Sequence, residues 1–216
     1  MIAVRKDSVR VRNKNIKDFC KSSLLEIKVK QAINCSLIDE VIVSSDCQQM
    51  LKTAKNMGAK ALQRPSYYTS SSVPMNEVYE YLANSVNCEN IIYLHVTSPL
   101  LKNKTLYDCI SKFEDESSEG YDSLATVESI KKYLWHDNKP INYDPDFHPR
   151  SQDLPVYYAL NFAVNIISRE KMIIKKNIIG DLFYPYLLDE VESIDVDNKI
   201  DFDIAEFLYR KENYGK

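Results

Sequence analysis

The sequence predicts an α/β fold: an open, mostly parallel sheet with helices on both faces. Three observations carry this. Apolar segments alternate along the chain between strand-like runs and helix-like spacing. One run, Ile91-Ile92-Tyr93-Leu94-His95-Val96, is nearly continuous, as a strand buried on both faces requires. The chain has 216 residues, 44% of them hydrophobic and 27% charged, enough for one domain with a sizeable core.

Ile2-Ala3-Val4 reads as the first strand. Leu25, Val29, Ala32 and Ile33 recur at helical spacing, with Ser22 or Ser23 as the N-cap. Val41-Ile42-Val43 is the second strand; Asp46 is expected to cap the following helix (Met50, Leu51, Ala54, Met57), and Gly58 to stop it. A short strand at Ala61-Leu62, a helix through Val78, Leu82 and Val86, and the Ile91–Val96 strand follow. Leu106, Cys109, Ile110 and Phe113 mark the next helix and Ser123–Val127 the next strand. The stretch from Lys131 to Pro155 breaks the pattern: it is proline-rich, holds the one tryptophan, and has little periodicity. It reads as an excursion from the core, a β-arm or a lid. Asn161–Ile167 returns as a strand, Ser193–Val196 as a last short strand, and Ile200, Ile204, Ala205 and Leu208 as a terminal helix with Asp201 near its start.

No apolar run approaches the ~18 residues that span a bilayer. Met1-Ile2-Ala3-Val4-Arg5-Lys6 is too short in its apolar part for a signal peptide, so the expected location is cytoplasmic. A net charge of −3 argues against general binding to nucleic acid or an anionic membrane. The five cysteines (Cys20, Cys35, Cys47, Cys88, Cys109) form no CxxC pair and read as small buried hydrophobes. Glycine is scarce, with 4 residues. A backbone cradle for phosphate is therefore disfavoured, and side chains must do more of any anion binding.

Ligands of doubly wound sheets sit beyond the carboxyl ends of the strands. The segment after the first strand, Arg5 to Asn15, carries five cations and one acid in eleven residues. It is a solvated basic face or a polyphosphate cradle. Ser193-Ile194-Asp195-Val196-Asp197 would point both aspartates to one face if it were a strand. Paired carboxylates repel unless a cation lies between them, and hard oxygen ligands suit Mg²⁺ shared with phosphate. The alternative is two caps for the last helix. Thr97-Ser98-Pro99-Leu100 fits substrate contact or an N-cap turn, and His95 fits a core histidine as well as a ligand.

These residues together resemble the acylneuraminate cytidylyltransferase family, the CMP–sugar-acid synthetases. The matching pieces are Arg5 to Asn15, Val41 to Asp46, Arg64-Pro65, Thr97-Ser98-Pro99-Leu100, Gln152-Asp153-Leu154-Pro155 and Ser193 to Asp197, in the family's order across nearly the whole chain. The resemblance implies a Rossmann-like, doubly wound fold and an enzyme that binds CTP with Mg²⁺. A hydroxyl of a small anionic acceptor would attack the α-phosphate, and pyrophosphate would leave. The acceptor implied is a nonulosonic sugar acid of sialic, legionaminic or pseudaminic type, or else another sugar acid or a phosphonate. Carried over, Arg5, Ser8, Lys14, Asn15 and Arg64 would hold the nucleotide, with Arg5, Lys14 and Asp197 as catalytic groups. Asp195 and Asp197 would hold the metal. His95, Thr97, Ser98, Arg150 and Asn161 would face the acceptor. The family's dimers use an inserted arm, which falls here on 131–161, between core segments 1–130 and 162–216 of one domain. The expected state is a homodimer with Arg150 reaching the neighbouring site.

The departures lie mostly on the acceptor side. Asp7 stands where the family has glycine, and a carboxylate there must turn away from phosphate or pair with Arg10 or Arg12. His95-Val96 replaces Gln-Pro, Leu101 an arginine, and Ser71-Ser72 an Asp-Thr pair. Ser151 takes the usual arginine's place beside Gln152. Asn161-Phe162-Ala163-Val164-Asn165 replaces Asn-Gly-Ala-(Ile/Phe)-Tyr. Two other classes remain. One is a metal-dependent nucleotide-sugar glycosyltransferase, whose Asp-x-Asp normally lies mid-chain. The other is a non-catalytic nucleotide-binding relative, for which Asp7 speaks.

Overall fold

A computed structural model describes residues 1–6 and 11–215 of the chain. In chain order its strands are β1 (Ile2–Ala3), β2 (Ile42–Ser45), β3 (Lys60–Gln63), β4 (Asn90–Leu94), β5 (Ser123–Ile130), β6 (Trp135–His136), β7 (Lys139–Pro140), β8 (Tyr157–Ser168) and β9 (Phe183–Leu187). Its α-helices are α1 (Leu24–Ile33), α2 (Gln48–Asn56), α3 (Met75–Asn84), α4 (Asn103–Ser117), α5 (Arg169–Lys175) and α6 (Lys199–Tyr214).

β1, β2 and β3 pair in parallel, and a second sheet runs β4-β8-β5-β9. The Met1 nitrogen donates to the Ile92 carbonyl at 2.6 Å, and the Leu94 N–H donates to the Met1 carbonyl at 2.9 Å. Those alternate bonds are a parallel ladder, so the order is β3-β2-β1-β4-β8-β5-β9. Of these strands, β8 alone runs against the rest. Apolar side chains of α1, α2, α4 and α6 pack on one face of the sheet, and those of α3 and α5 on the other. The fold is therefore the doubly wound, mostly parallel α/β sheet expected.

Local sequence explains the elements. The Ser23 hydroxyl caps α1 by accepting from Glu26 N–H at 3.2 Å and donates to the Glu26 carboxylate at 2.8 Å. Gly58, at φ +98°, follows the last turn of α2, where a side chain would be strained. Asn198 and Asp201 form a capping box on α6. Ile2, Val43, Leu94, Leu124 and Ile166 are at most 1% exposed and fill the sheet's centre.

Several expectations fail, among them the burial of every cysteine: Cys88 is exposed and Cys47 half-buried. Asp46 does not cap α2; Cys47 holds that position with no side-chain bond, and the Asp46 carboxylate accepts the Lys6 N–H at 3.0 Å. Ser193–Val196 is not a strand; the segment is irregular, and its Val196 N–H donates to the Thr97 carbonyl beyond the end of β4. The last strand is β9, which contains Pro185 and pairs with β5 alone. Proline is tolerated there because the outer side of an edge strand needs no ladder donor. α5, only two turns long, is too short to show a helical repeat in the sequence.

From 131 to 156 the chain leaves the sheet. The antiparallel pairing of β5 with β8 continues to Ile130 opposite Tyr157, which roots the excursion on two long strands. Beyond it, β6 and β7 form a hairpin through Asp137 and Asn138, at φ +47° and +61°, the left-handed pair that a tight hairpin turn uses. Asn142 ties the base of this arm by accepting from Leu134 N–H at 2.8 Å and donating to the Lys132 carbonyl at 2.7 Å.

Candidate active site

A cavity of about 220 Å³ opens beyond the carboxyl ends of β1 and β4. Arg5, following β1, His95 and Thr97, following β4, the loop residues Lys14 and Asn15, and Asp197 from the acidic segment all line it. Six of the residues singled out in the sequence thus meet in one place. A larger cavity, about 590 Å³, lies at the opposite ends of β1, β2 and β4 and is lined by no lysine or arginine. A triphosphate needs cations, so the smaller cavity is the candidate site.

The loop is stitched together by side chains. Lys14 and Asn15 begin a short 3₁₀ turn (Lys14–Ile16) and are buried. The Lys14 ammonium donates to the Val196 carbonyl. The Asn15 amide donates to the Arg5 carbonyl at 3.1 Å, and the Arg5 guanidinium to the Thr69 carbonyl at 3.2 Å. Arg64, 5% exposed after β3, donates to the Val4 carbonyl beside the cavity, while its Nε is buried with no hydrogen-bond partner. Burial lowers the Arg64 pKa. Ser8 lies outside the described residues.

The acidic segment is clamped at its middle residue. The Val196 N–H donates to the Thr97 carbonyl at 2.8 Å, its carbonyl accepts from Lys14, and its side chain is fully buried. Asp195 is half-buried. Burial raises its carboxyl pKa, a hydrogen bond from Thr97 opposes this, and the Asp197 charge adds to it. One Asp195 oxygen, Oδ1, is buried with no hydrogen-bond partner. The helix-cap alternative does not hold. Asn198 and Asp201 do the capping, and the Asp201 carboxylate accepts the N–H groups of Asp197 at 3.0 Å and Asn198 at 2.8 Å.

On the acceptor side the structure divides the expected residues. His95 sits between the Tyr93 ring, 5.0 Å away between centroids, and the Phe162 ring, 5.8 Å away. Burial pushes the imidazole pKa down to about 4, helped by the charges of Lys28 and Lys14, so it is neutral at pH 7; its Nε2 has no hydrogen-bond partner. Ser98 is 1% exposed, does not line the cavity, and offers its carbonyl to Lys28 at 2.9 Å. Arg150 stands on the arm, away from the cavity lining, and forks onto Asp153 at 2.7 and 3.3 Å. Asn161 is buried in a bulge of β8, where its Oδ1 accepts the Ala163 N–H at 3.2 Å.

Sequence reasoning missed Lys28 and Gln31. Lys28 is fully buried in α1, and its ammonium donates to Gln31 at 2.7 Å and to the Ser98 carbonyl. The Gln31 amide donates to the Leu101 carbonyl at 2.6 Å. Together they pin the turn that follows β4. A signal was present: Lys28 lies four residues after Leu24 and three after Leu25, inside the apolar row.

Among the described residues no three His, Cys, Asp or Glu side chains gather as a metal cage, and no helix is long and apolar enough to cross a membrane. A loop of cations facing an acidic segment, at the carboxyl edge of a mostly parallel sheet, defines a nucleotide-binding α/β protein. Residues 1–160 match the family model described as cytidylyltransferase. The chain belongs to the cytidylyltransferase family and is a CTP-dependent nucleotidyltransferase.

It is 24% identical to the post-translational flagellin modification protein B of Campylobacter coli, over 98% of this chain and 94% of that protein. It is 26% identical to a pseudaminic acid cytidylyltransferase of Campylobacter jejuni, over 97% and 95% of the two chains. An N-acylneuraminate cytidylyltransferase of Escherichia coli is 24% identical over all of this chain, which spans 53% of that protein. A solved structure of a CMP:2-keto-3-deoxy-manno-octonic acid synthetase complexed with CTP superposes with a TM-score of 0.70 at 13% identity, over 98% and 97% of the chains. At that identity the likeness concerns the fold.

Proposed function

We propose that the chain transfers CMP from CTP to a nonulosonic sugar acid and releases pyrophosphate. The observation that carries this is the clamp on Val196, which brings the Lys14 ammonium to the segment holding Asp195 and Asp197. The relatives named for pseudaminic acid, matched over 95% of its length, and for N-acylneuraminate, matched over 53%, support the acceptor class. Arg5, Ser8, Lys14 and Asn15 are assigned to the nucleotide and its phosphates, and Arg64 to the nucleoside side of the crevice. The cations bind the triphosphate and offset the charge that grows on the departing pyrophosphate. His95, Thr97, Ser98, Arg150 and Asn161 are assigned to the acceptor. Neutral His95 and the Asn161 amide offer hydrogen bonds without adding charge. Burial of Ser98 limits it to shaping the Thr97 turn.

Mg²⁺ fits the acidic segment. The donors are hard carboxylate oxygens, Asp195 Oδ1 is buried with no hydrogen-bond partner, and two carboxylates are what a metal shared with phosphates asks of the protein. Asp195 and Asp197 would hold it, and when bound it would neutralise phosphate charge. Thr97 orients the Asp195 carboxylate and keeps it beside the phosphates.

The proposed assembly is a homodimer of single-domain subunits, working in the cytoplasm, with residues 131–161 as the dimerising arm on a core of 1–130 and 162–216. Phe147 is 87% exposed, and Trp135, Ile141 and Tyr158 each more than half. An apolar surface of that kind is rarely left uncovered on a monomer. The test of the reaction is pyrophosphate release from CTP across a panel of sugar acids, with ATP, GTP and UTP as controls. Acceptor-dependent release with CTP is expected, and its loss in Asp197→Asn. Release that ignores the acceptor, or near-normal turnover by the variant, overturns the reading.

A further inference from the structure

β8 carries an irregularity where it passes the crevice. Ala125 of β5 faces Asn165, but Val127 faces Leu160, so two steps along β5 match five along β8. Phe162 lies in the extra length at φ +59°. A phenylalanine in that region is disfavoured, because its Cβ crowds the backbone and it gains no local hydrogen bond in return. Three polar side chains hold it there. The Asn161 Oδ1 accepts the Ala163 N–H at 3.2 Å, and the Asn165 amide donates to the Phe162 carbonyl at 3.3 Å. The Thr126 hydroxyl fills the broken ladder, accepting the Val164 N–H at 3.0 Å and donating to the Val164 carbonyl at 3.2 Å.

A buried set of partners is thus spent on keeping one aromatic residue in an unfavourable conformation. The ring is no part of the apolar core: Phe162 is 36% exposed and stands outside both groups of packed apolar side chains. It sets the ring beside His95, which lines the cavity and whose Nε2 has no partner. Strain retained with no packing return is a feature of functional sites. We propose that Phe162 is a specificity-determining residue: its ring is the apolar wall of the acceptor subsite, packs against the non-polar face of the sugar acid, and limits acceptor size at the crevice mouth. This rests on the acceptor reading given above and names the wall of that site.

The test pairs stability with kinetics. Phe162→Gly removes both ring and strain, and Phe162→Asn keeps a side chain that tolerates left-handed φ. Each is compared with the parent by thermal melting, by CTP titration, and by initial rates with N-acylneuraminate, pseudaminic acid and 2-keto-3-deoxy-manno-octonic acid. Both variants are expected to melt no lower than the parent and to bind CTP equally well. Both are expected to raise KM for the parent's preferred acceptor about three- to tenfold, as loss of one aromatic contact gives. The ratio of kcat/KM between acceptors should also shift. A core-packing role would lower the melting temperature and leave that ratio alone, and a dimer-contact role would change the oligomeric state instead; either result overturns the proposal. If both variants turn over with unchanged acceptor KM and ratio, Phe162 is not the wall. If the parent shows no acceptor-dependent turnover while binding CTP, the acceptor reading fails first.

Discussion

Lys28→Met turns a buried amine into a buried thioether of similar length. In the folded protein Lys28 is fully enclosed, and burial lowers its pKa from 10.5 to about 7, with only Glu192 opposing. Glu192 is itself engaged with Lys102 at 3.5 Å. The depressed pKa belongs to the folded state, so between pH 7 and 10.5 the unfolded chain binds more protons. Stability must then rise with pH in that window. Applied to the two pKa values, linkage gives the parent about 2 kcal/mol of extra stability at pH 9 over pH 7 from this group alone. Methionine has no such slope, and it leaves the Ser98 carbonyl and Gln31 without their donor, a loss of about 1–3 kcal/mol for each buried acceptor. The assay is urea unfolding of both proteins at pH 7, 8 and 9 at fixed ionic strength. The parent's advantage should widen by about 2 kcal/mol across the series, since every other group titrates alike in both chains. Parallel pH curves would show that Lys28 is not a suppressed base, and that its charge is met inside the fold.

Gly180→Ala should destabilise by about 1–3 kcal/mol, because an added Cβ would stand 2.0 Å from Asp122 Oδ1. That carboxylate accepts the Asp181 and Leu182 N–H groups at 2.8 and 3.1 Å, which chemical denaturation of the variant would show to be lost. Lys14→Ala should weaken CTP binding by about 1.5–3 kcal/mol, the range for a charge-assisted contact, read by calorimetry; unchanged affinity and rate remove Lys14 from the site. Asp7→Gly should tighten CTP binding by removing a negative charge from the phosphate loop, and weaker binding would instead show that Asp7 orders the arginines. Mixing Arg150→Ala chains with Asp197→Asn chains should restore turnover if the arm completes a neighbour's site. Full exchange of subunits without recovery would confine Arg150 to its pair with Asp153.

Much of the fold was legible because it rests on periodic apolar faces. The rows in α1, α2 and α4 and the run through β4 stand plainly in the sequence. What escaped lies where tertiary context overrides period. β9 carries a proline that only an edge strand accepts. The segment at Asp195 repeats like a strand yet, among the described residues, forms no ladder and is held through the Val196 N–H on the Thr97 carbonyl. Arg5, Lys14, Asn15, His95, Thr97 and Asp197 stand out in the sequence by polarity and strand-end position, and they line one cavity. Phe162 was visible as a departure from glycine, but its role depends on a backbone angle that no residue pattern states. Lys28 was hidden by the habit of reading lysine as surface.

The bond from Lys14 to Val196 joins residues 182 positions apart in the chain. Closing so long a loop costs chain entropy that local structure does not return, and contacts of this non-local kind slow folding. The loop at Lys14 and the acids at Asp195 and Asp197 are far apart in the sequence, so a partly made chain holds the first without the second. The crevice is in this way complete only once the segment at Val196 has been made. The Val196 amide proton, held on the Thr97 carbonyl, is a natural reporter of the moment the crevice closes, because its exchange with solvent slows only when these two segments have met.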